Sequence, residues 1–228
     1  MLSEMTTATE GEKQIAAEAA AALIENGMRV GIGTGTTVAH LLPLLPGCGR
    51  DVIYIATSPQ TEHAGLELGL NMQPFTTLDR LDLAIDGADQ VAPTGWLIKG
   101  GGRAHTREKV VAAAAGRFVV VVSADKLVTK LTPPVPLELL AFGLPATLRR
   151  LAPTQLRDGP QSPDGGIIAD YRGSITNPAR LAARLSSTVG VIEHGLFPPQ
   201  LVSEILVGRS GNLQRLRPST SGRLQQIV

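Results

Sequence analysis

The chain lacks most of what marks secreted, metal-dependent or nucleic-acid-binding proteins. Its one cysteine, Cys48, excludes an internal disulfide and a cysteine-based zinc site. The four histidines, His40, His63, His105 and His194, are scattered, so neither a metal-ligand spacing nor a nucleophile–histidine pair is visible. Cys48 itself sits in a Pro/Gly loop, LPGCGR, a poor setting for a nucleophile. No apolar run approaches the roughly 20 residues that a membrane helix needs. The opening MLSEMTTATEGEKQ has no apolar h-region, so the reading is a soluble, cytoplasmic protein with no membrane partner. A surplus of one charge is missing too. The 21 basic and 20 acidic residues leave +1, mixed along the chain, which argues against a nucleic-acid partner. Aromatics make up only 3%, while Ala, Leu, Gly and Val abound, a composition suited to helices packed closely on a parallel sheet.

Those residues follow an alternating pattern. Residues 12–26 are Ala-rich at helical spacing and stop at Asn26-Gly27. A short buried strand at 28–32 runs into Gly33-Thr34-Gly35-Thr36-Thr37, then VAHLLPLL opens as a helix, ended or kinked around Pro43 and Pro46. A strand at 51–56, the small polar Thr57 and Ser58, and a helix at about 60–68 follow, then a short strand at 71–75. The strand at 81–85 ends at Asp86, residues 96–99 lead into a glycine cluster, 106–115 are helical, and FVVVV at 118–122 is a strand covered on both faces. This order predicts an α/β fold with a doubly wound, parallel sheet whose polar loops follow strand C-termini, where such sheets hold ligands. The Pro-rich 131–136 marks a boundary. Beyond it a helix at 141–151, a hairpin-like 166–171, a helix at 178–186 and a strand at 189–193 suit a small α+β domain. Residues 201–207 read as a strand returning to the first sheet, and 218–223 as a frayed end.

Three stretches carry chemistry. GIGTGTT offers converging backbone N–H groups and threonine hydroxyls to an anion, although a tight turn would also need its glycines. It is neither a dinucleotide fingerprint nor a P-loop, because the glycine spacing and the following residues differ. Asp86-Gly87-Ala88-Asp89 sets two carboxylates around a turn, where like charges separate their proton affinities. Capping aspartates are the plainer reading. Lys99-Gly100-Gly101-Gly102 lets a ligand approach the backbone beside a cation, and Glu108 follows early in the next helix, where surface pairing is the plainer role. Asp125-Lys126 adds charge after the FVVVV strand. Their shared position at strand C-termini points to proton transfer on a sugar phosphate without a metal.

In order and spacing, GTGTT, TSPQTEHAGLELG, DLAIDGADQV, LIKGGGRAHTREK and SADK resemble the type A ribose-5-phosphate isomerases, and VPLELLAFG, GIIADYRG and VGVIEHGLF match that family's later landmarks. The resemblance implies interconversion of D-ribose 5-phosphate and D-ribulose 5-phosphate through an enediolate, with no metal or cofactor. It implies that Thr34, Gly35, Thr36 and Thr37 bind substrate, with Lys126 assisting at the phosphate. Asp86, Asp89 and Lys99 would surround the reacting end of the sugar, with Gly87, Ala88, Gly100, Gly101 and Gly102 shaping the pocket. Glu108 would be the general base. It further implies a Rossmann-like domain, 1–131 plus 207–228, an inserted ferredoxin-like α+β domain, 132–206, serving oligomerisation, and a homodimer or homotetramer. Four positions depart from the family pattern: Gln90 follows DGAD where Glu is usual, Arg103 replaces a small residue after KGGG, His105 stands at a commonly apolar position, and Ser123-Ala124-Asp125 alters the lead-in to Lys126. Gln90 and Arg103 motivate a second reading, a divergent paralogue acting on another pentose phosphate. A third is a sensor that binds a sugar phosphate without turning it over.

Overall fold

The computed structural model describes residues 2–227, with side chains from Thr9 onward. Five strands form the parallel part of a seven-stranded sheet: β1 (Arg29–Ile32), β2 (Ile53–Ala56), β3 (Leu81–Asp86), β6 (Ala115–Ser123) and β12 (Glu204–Arg209). Between them in the chain, β4 (Gln90–Val91) and β5 (Leu97–Ile98) belong to a separate small sheet. The large sheet's order is β14-β13-β12-β6-β3-β1-β2, where β13 (Asn212–Pro218) and β14 (Leu224–Ile227) add an antiparallel edge. The chain leaves β1 toward β2 on one side and returns to β3 on the other. The loops after β1 and β3 therefore flank the switch point, the usual ligand crevice of such sheets.

Apolar content explains the central strands. Val119, Val120 and Val121 in β6 are fully buried because helices cover both faces. Helix α1 (Leu2–Ala21) lies on the sheet through Ala16, Ala17 and Ala20, whose small side chains permit close approach. It begins before the expected 12–26 and ends earlier. Helix α2 (Thr36–Leu41) passes into a 3-10 segment, Leu42–Gly47, where the prolines enter, as expected. Helices α3 (Pro59–Glu67) and α4 (His105–Ala114) follow their expected ranges closely.

The expected strand at 71–75 is absent: only Met72 makes a bridge, to Tyr54. Its sequence NMQPF places proline one residue after a possible ladder, which stops pairing. The expected frayed end at 218–223 is instead the turn of the β13–β14 hairpin. The strand expected at 201–207 is β12, and it does rejoin the first sheet, parallel to β6.

The second sheet is built from β7 (Val135–Leu139), β8 (Thr154–Leu156), β9 (Ile167–Tyr171) and β10 (Val191–His194), with helices α5 (Leu144–Arg150) and α6 (Pro178–Ser186) between them. The sequence β-α-β-β-α-β and spatial order β10-β7-β9-β8 make it a ferredoxin-like α+β unit. The small sheet, β11-β5-β4, uses β11 (Leu196–Phe197), which follows β10, to grip β5 just before Lys99. No helix among the described residues is long and apolar enough to cross a membrane.

Candidate active site

Asp86 closes β3 and Glu108 sits in the first turn of α4. Lys99, which follows β5, stands between them: its Nζ lies 2.9 Å from Asp86 Oδ2 and 3.1 Å from Glu108 Oε2, and donates to the Gly87 carbonyl at 2.6 Å. All three side chains are about 3% exposed, so the charges meet away from water. Asp86 Oδ1 accepts from the N–H groups of Gly87 (2.7 Å) and Thr34 (3.2 Å). Position 33 must be glycine here, since a Cβ would lie 1.9 Å from the Asp86 carboxyl.

The electrostatics separate the two acids. Burial first, and then the negative charge of Asp86, push Glu108 up to about 8, with Lys99 pulling the other way. Burial also raises Asp86, but Lys99 and the Gly87 and Thr34 N–H groups oppose the rise. Those donors make Asp86 the better-supported anion. Burial works against the Lys99 ammonium, yet Asp86 and Glu108 outweigh it and hold its pKa above the usual lysine value. Lys99 therefore meets both carboxylates as ion pairs of similar length while donating to the Gly87 carbonyl.

The remaining expected residues divide. Asp89 is exposed, and its Oδ2 accepts from the Gly101 N–H at 2.8 Å. Gly102 lies against the Thr34 methyl group, so the KGGG loop touches the GTGTT loop. Gly35 and Thr36 are exposed at the start of α2 and Thr37 is buried, while Ala88 is half-buried against the core. Lys126 follows β6 on the same edge of the sheet, but its recorded contact is an ion pair with Asp125 at 3.1 Å. The structure thus brings together Thr34, Asp86, Gly87, Lys99, Gly102 and Glu108, with Asp89 and Gly101 alongside, and leaves Lys126 apart from them.

Several supporting residues escape a sequence reading. Thr34 Oγ1 lies 3.0 Å from Thr57 Oγ1 and 3.4 Å from Thr61 Oγ1, and Thr61 donates to the Gly33 carbonyl at 3.0 Å. A cluster of hydroxyls in TSPQT just past a strand was the available signal. Lys13 on α1, nearly buried, pairs with Glu10 at 2.6 Å. Its neighbours Gln14 and Glu12 hydrogen-bond to His40 of α2 and to the Ala124 N–H after β6, respectively. Lys13 therefore stands on the helix that spans those two loops.

Both unusual residues are occupied elsewhere. Gln90 exchanges two 2.9 Å hydrogen bonds with the Thr132 backbone, imitating a strand pair. Arg103, at φ 64, donates to the carbonyls of Pro160 (2.8 Å) and Asp158. Neither is turned to a second acidic group of a ligand.

Two carboxylates of divided proton affinity around a buried lysine, beside a hydroxyl-lined loop, form an arrangement that a family can preserve across long divergence. A family model described as ribose 5-phosphate isomerase A (phosphoriboisomerase A) matches residues 53–212. The ribose-5-phosphate isomerase A of Methanosarcina acetivorans is 41% identical over 223 residues, spanning 91% of this chain and 94% of its own. That of Caulobacter vibrioides is 41% identical over 225 residues, with 92% and 99% covered. Among solved structures, ribose 5 phosphate isomerase A from Neisseria gonorrhoeae superposes with a TM-score of 0.86 at 28% identity, over 91% of this chain and 96% of that one. A D-ribose-5-phosphate isomerase in complex with phospho-erythronic acid gives 0.86 at 33%, over 92% and 99%. With sequence and fold agreeing over nine-tenths of its length, the chain belongs to the ribose 5-phosphate isomerase A family.

Proposed function

We propose that the protein interconverts D-ribose 5-phosphate and D-ribulose 5-phosphate, with Glu108 as the base. The observation that carries this reading is a buried carboxyl whose pKa is raised to about 8, beside a lysine already held by a second acid. A C–H next to a carbonyl is a weak acid, and its removal needs both a base poised near the working pH and a cation for the oxygen that becomes negative. From aldose to ketose, Glu108 takes the proton from C2. The electron pair left there moves toward the C1 carbonyl, whose oxygen becomes an enediolate oxygen stabilised by the Lys99 ammonium. Glu108 returns the proton to C1, the O2 proton moves toward O1, and the carbonyl is left at C2. Asp86 keeps Lys99 in place and charged. Asp89 and its glycine loop act on the hydroxyl protons during ring opening.

The phosphate end belongs, in this proposal, to Thr34, Gly35, Thr36 and Thr37, with Lys126 supplying positive charge from the same edge of the sheet. The relative holding phospho-erythronic acid, a phosphorylated sugar acid, supports a ligand of this class. The commitment of Gln90 and Arg103 to the backbone favours ribose 5-phosphate over a substrate with a further acidic group. No metal enters the scheme, so EDTA is expected to leave turnover unchanged. We also propose that residues 132–206 form the oligomerisation unit, in keeping with Phe142 and Val189, which are 93% and 77% exposed there.

The test is conversion of ribose 5-phosphate by wild type and Glu108→Gln. General base removal is expected to lower kcat by about 10²–10⁴-fold, while phosphate-ester binding persists. A sensor, by contrast, would show binding without turnover in the wild type.

A further inference from the structure

The glycine loop of the site is gripped from the small α+β unit by an arginine that touches none of the three buried charges. The peptide joining Gly100 to Gly101 is held at both ends. Its carbonyl, on Gly100, accepts from Arg157 Nη1 at 2.8 Å, and its N–H, on Gly101, donates to Asp89 Oδ2 at 2.8 Å. The peptide dipole thus lies between a cation and an anion, in the favourable sense. Gly100 has φ +112, a conformation that side-chain-bearing residues rarely adopt, so the backbone beside this peptide is permissive. The Gly100 carbonyl also accepts from the Arg103 N–H at 3.1 Å, so a flipped peptide would aim its oxygen at the Asp89 carboxylate and lose three bonds.

Arg157 is itself fixed. Its Nε donates to Asp170 Oδ2 at 3.2 Å and its Nη2 to Asp170 Oδ1, the forked geometry of an arginine–carboxylate pair. Asp170 is nearly buried in β9, which pairs with β7 across the unit. Asp89 is exposed, and the Gly101 N–H is the recorded hydrogen-bond partner of its carboxylate. A second guanidinium crosses in the opposite sense: Arg103, at the end of the loop, reaches the carbonyls of Asp158 and Pro160. The 99–103 loop and the 157–160 segment are therefore laced by two arginines, one from each side.

We infer that Arg157 is a positioning residue: locked by Asp170, it fixes the Gly100–Gly101 peptide and through it the orientation of the Asp89 carboxylate over the sugar. This rests on Asp89 acting on the substrate as proposed above.

The experiment combines steady-state isomerisation of ribose 5-phosphate with the 15N–1H resonance of Gly101, in the full-length chain. Arg157→Ala is expected to lower kcat about 10- to 100-fold, with KM changed by less than about threefold. The loss should not add to that of Asp89→Asn: in the Asp89→Asn background, Arg157→Ala should cost less than about twofold. The Gly101 amide should shift markedly in Arg157→Ala. A folded Arg157→Ala protein with wild-type kcat, or losses that multiply in the double variant, would overturn the inference. If Arg157→Ala fails to fold, Asp170→Asn, which keeps the side chain's size, is read by the same two criteria. If the wild type does not turn over ribose 5-phosphate, the substrate reading fails, and the Gly101 resonance alone decides whether Arg157 sets this peptide.

Discussion

Glu108 shows how one burial decides a chemistry. A carboxyl in water would be ionised at neutral pH and too weak a base for a sugar C–H, whereas at about 8 it is a stronger base that is partly protonated. The acidic limb of kcat/KM is therefore expected near pH 8, activity rising as Glu108 loses its proton. Asp86→Asn removes the negative charge that helps raise Glu108, so the same limb should move to lower pH, even as the rate falls through loss of the lysine's anchor. Histidines work with the opposite sign. His105 is fully buried, and burial followed by the Lys109 charge lowers its pKa to about 3, with a hydrogen bond to the Glu193 backbone opposing the shift. His194, lowered to about 4 chiefly by burial, accepts at Nδ1 from the Leu196 N–H and so carries its proton on Nε2, toward Ser186. Both are neutral in the folded state, while the unfolded chain takes up protons below about 6.5. The stability they contribute is present above that pH and is lost as pH falls toward 4. His105→Leu is expected to flatten this acid-side loss. Urea melts of both proteins between pH 7 and 4.5 measure it; an unchanged slope would contradict the assignment.

Elements, more than loops, hold the lysine. Lys99 follows β5, and β5 is paired by β11, which arrives from the end of the small unit; the Lys99 N–H donates to the Gly195 carbonyl at 2.9 Å. Phe197 of β11 is fully buried, packs on Phe118 of β6 with ring centroids 6.4 Å apart, and lies within 5.5 Å of Lys99 Nζ and 4.9 Å of Lys109 Nζ. Phe197→Ala should cost about 3–5 kcal/mol and, if Lys99 acts as proposed, lower activity as well, since the cavity opens beneath it. Denaturant unfolding paired with turnover checks both. Elements also set what the sequence could reveal. FVVVV announces β6 because a fully covered strand needs an unbroken apolar run, and LDLAID announces β3 because only Asp82 interrupts its buried residues. By contrast β13, NLQRLRP, buries only Leu216, so nothing apolar betrays it, and the sequence reading assigns it no element. DGAD, KGGG and REK were legible because each directly follows a strand or opens a helix. Arg157 was not, since its target carbonyl lies 57 residues away and only the packing of the two units brings them together.

Across the whole molecule, the parallel sheet and the ferredoxin-like unit divide the work. The first presents Thr34, Asp86 and Glu108 from its C-terminal edge. The second reaches over through β11, Arg157 and Glu138, the last buried and holding Thr106 of α4 and, at 2.5 Å, Ser162. The site is thus assembled at a junction, which explains why two departures from the family pattern, Gln90 and Arg103, have roles in the contact between segments rather than in the pocket. The family and the alternating architecture were visible in the sequence; the hydroxyl cluster of Thr34, Thr57 and Thr61 emerged only when distant segments met. The same junction makes Glu108 buried, and on that burial the proposed chemistry depends.

The most direct measurement is the exchange of the C2 proton of ribose 5-phosphate with solvent deuterium, followed with conversion to ribulose 5-phosphate, in wild type and Glu108→Gln. Proton removal by Glu108 requires conversion in the wild type, with the C2 hydrogen carried to C1 to the extent that it does not exchange with solvent, and the loss of conversion and of any exchange by about 10²-fold or more in the variant while ligand binding is retained. Conversion within about tenfold of wild type in a folded Glu108→Gln protein would contradict Glu108 as the base.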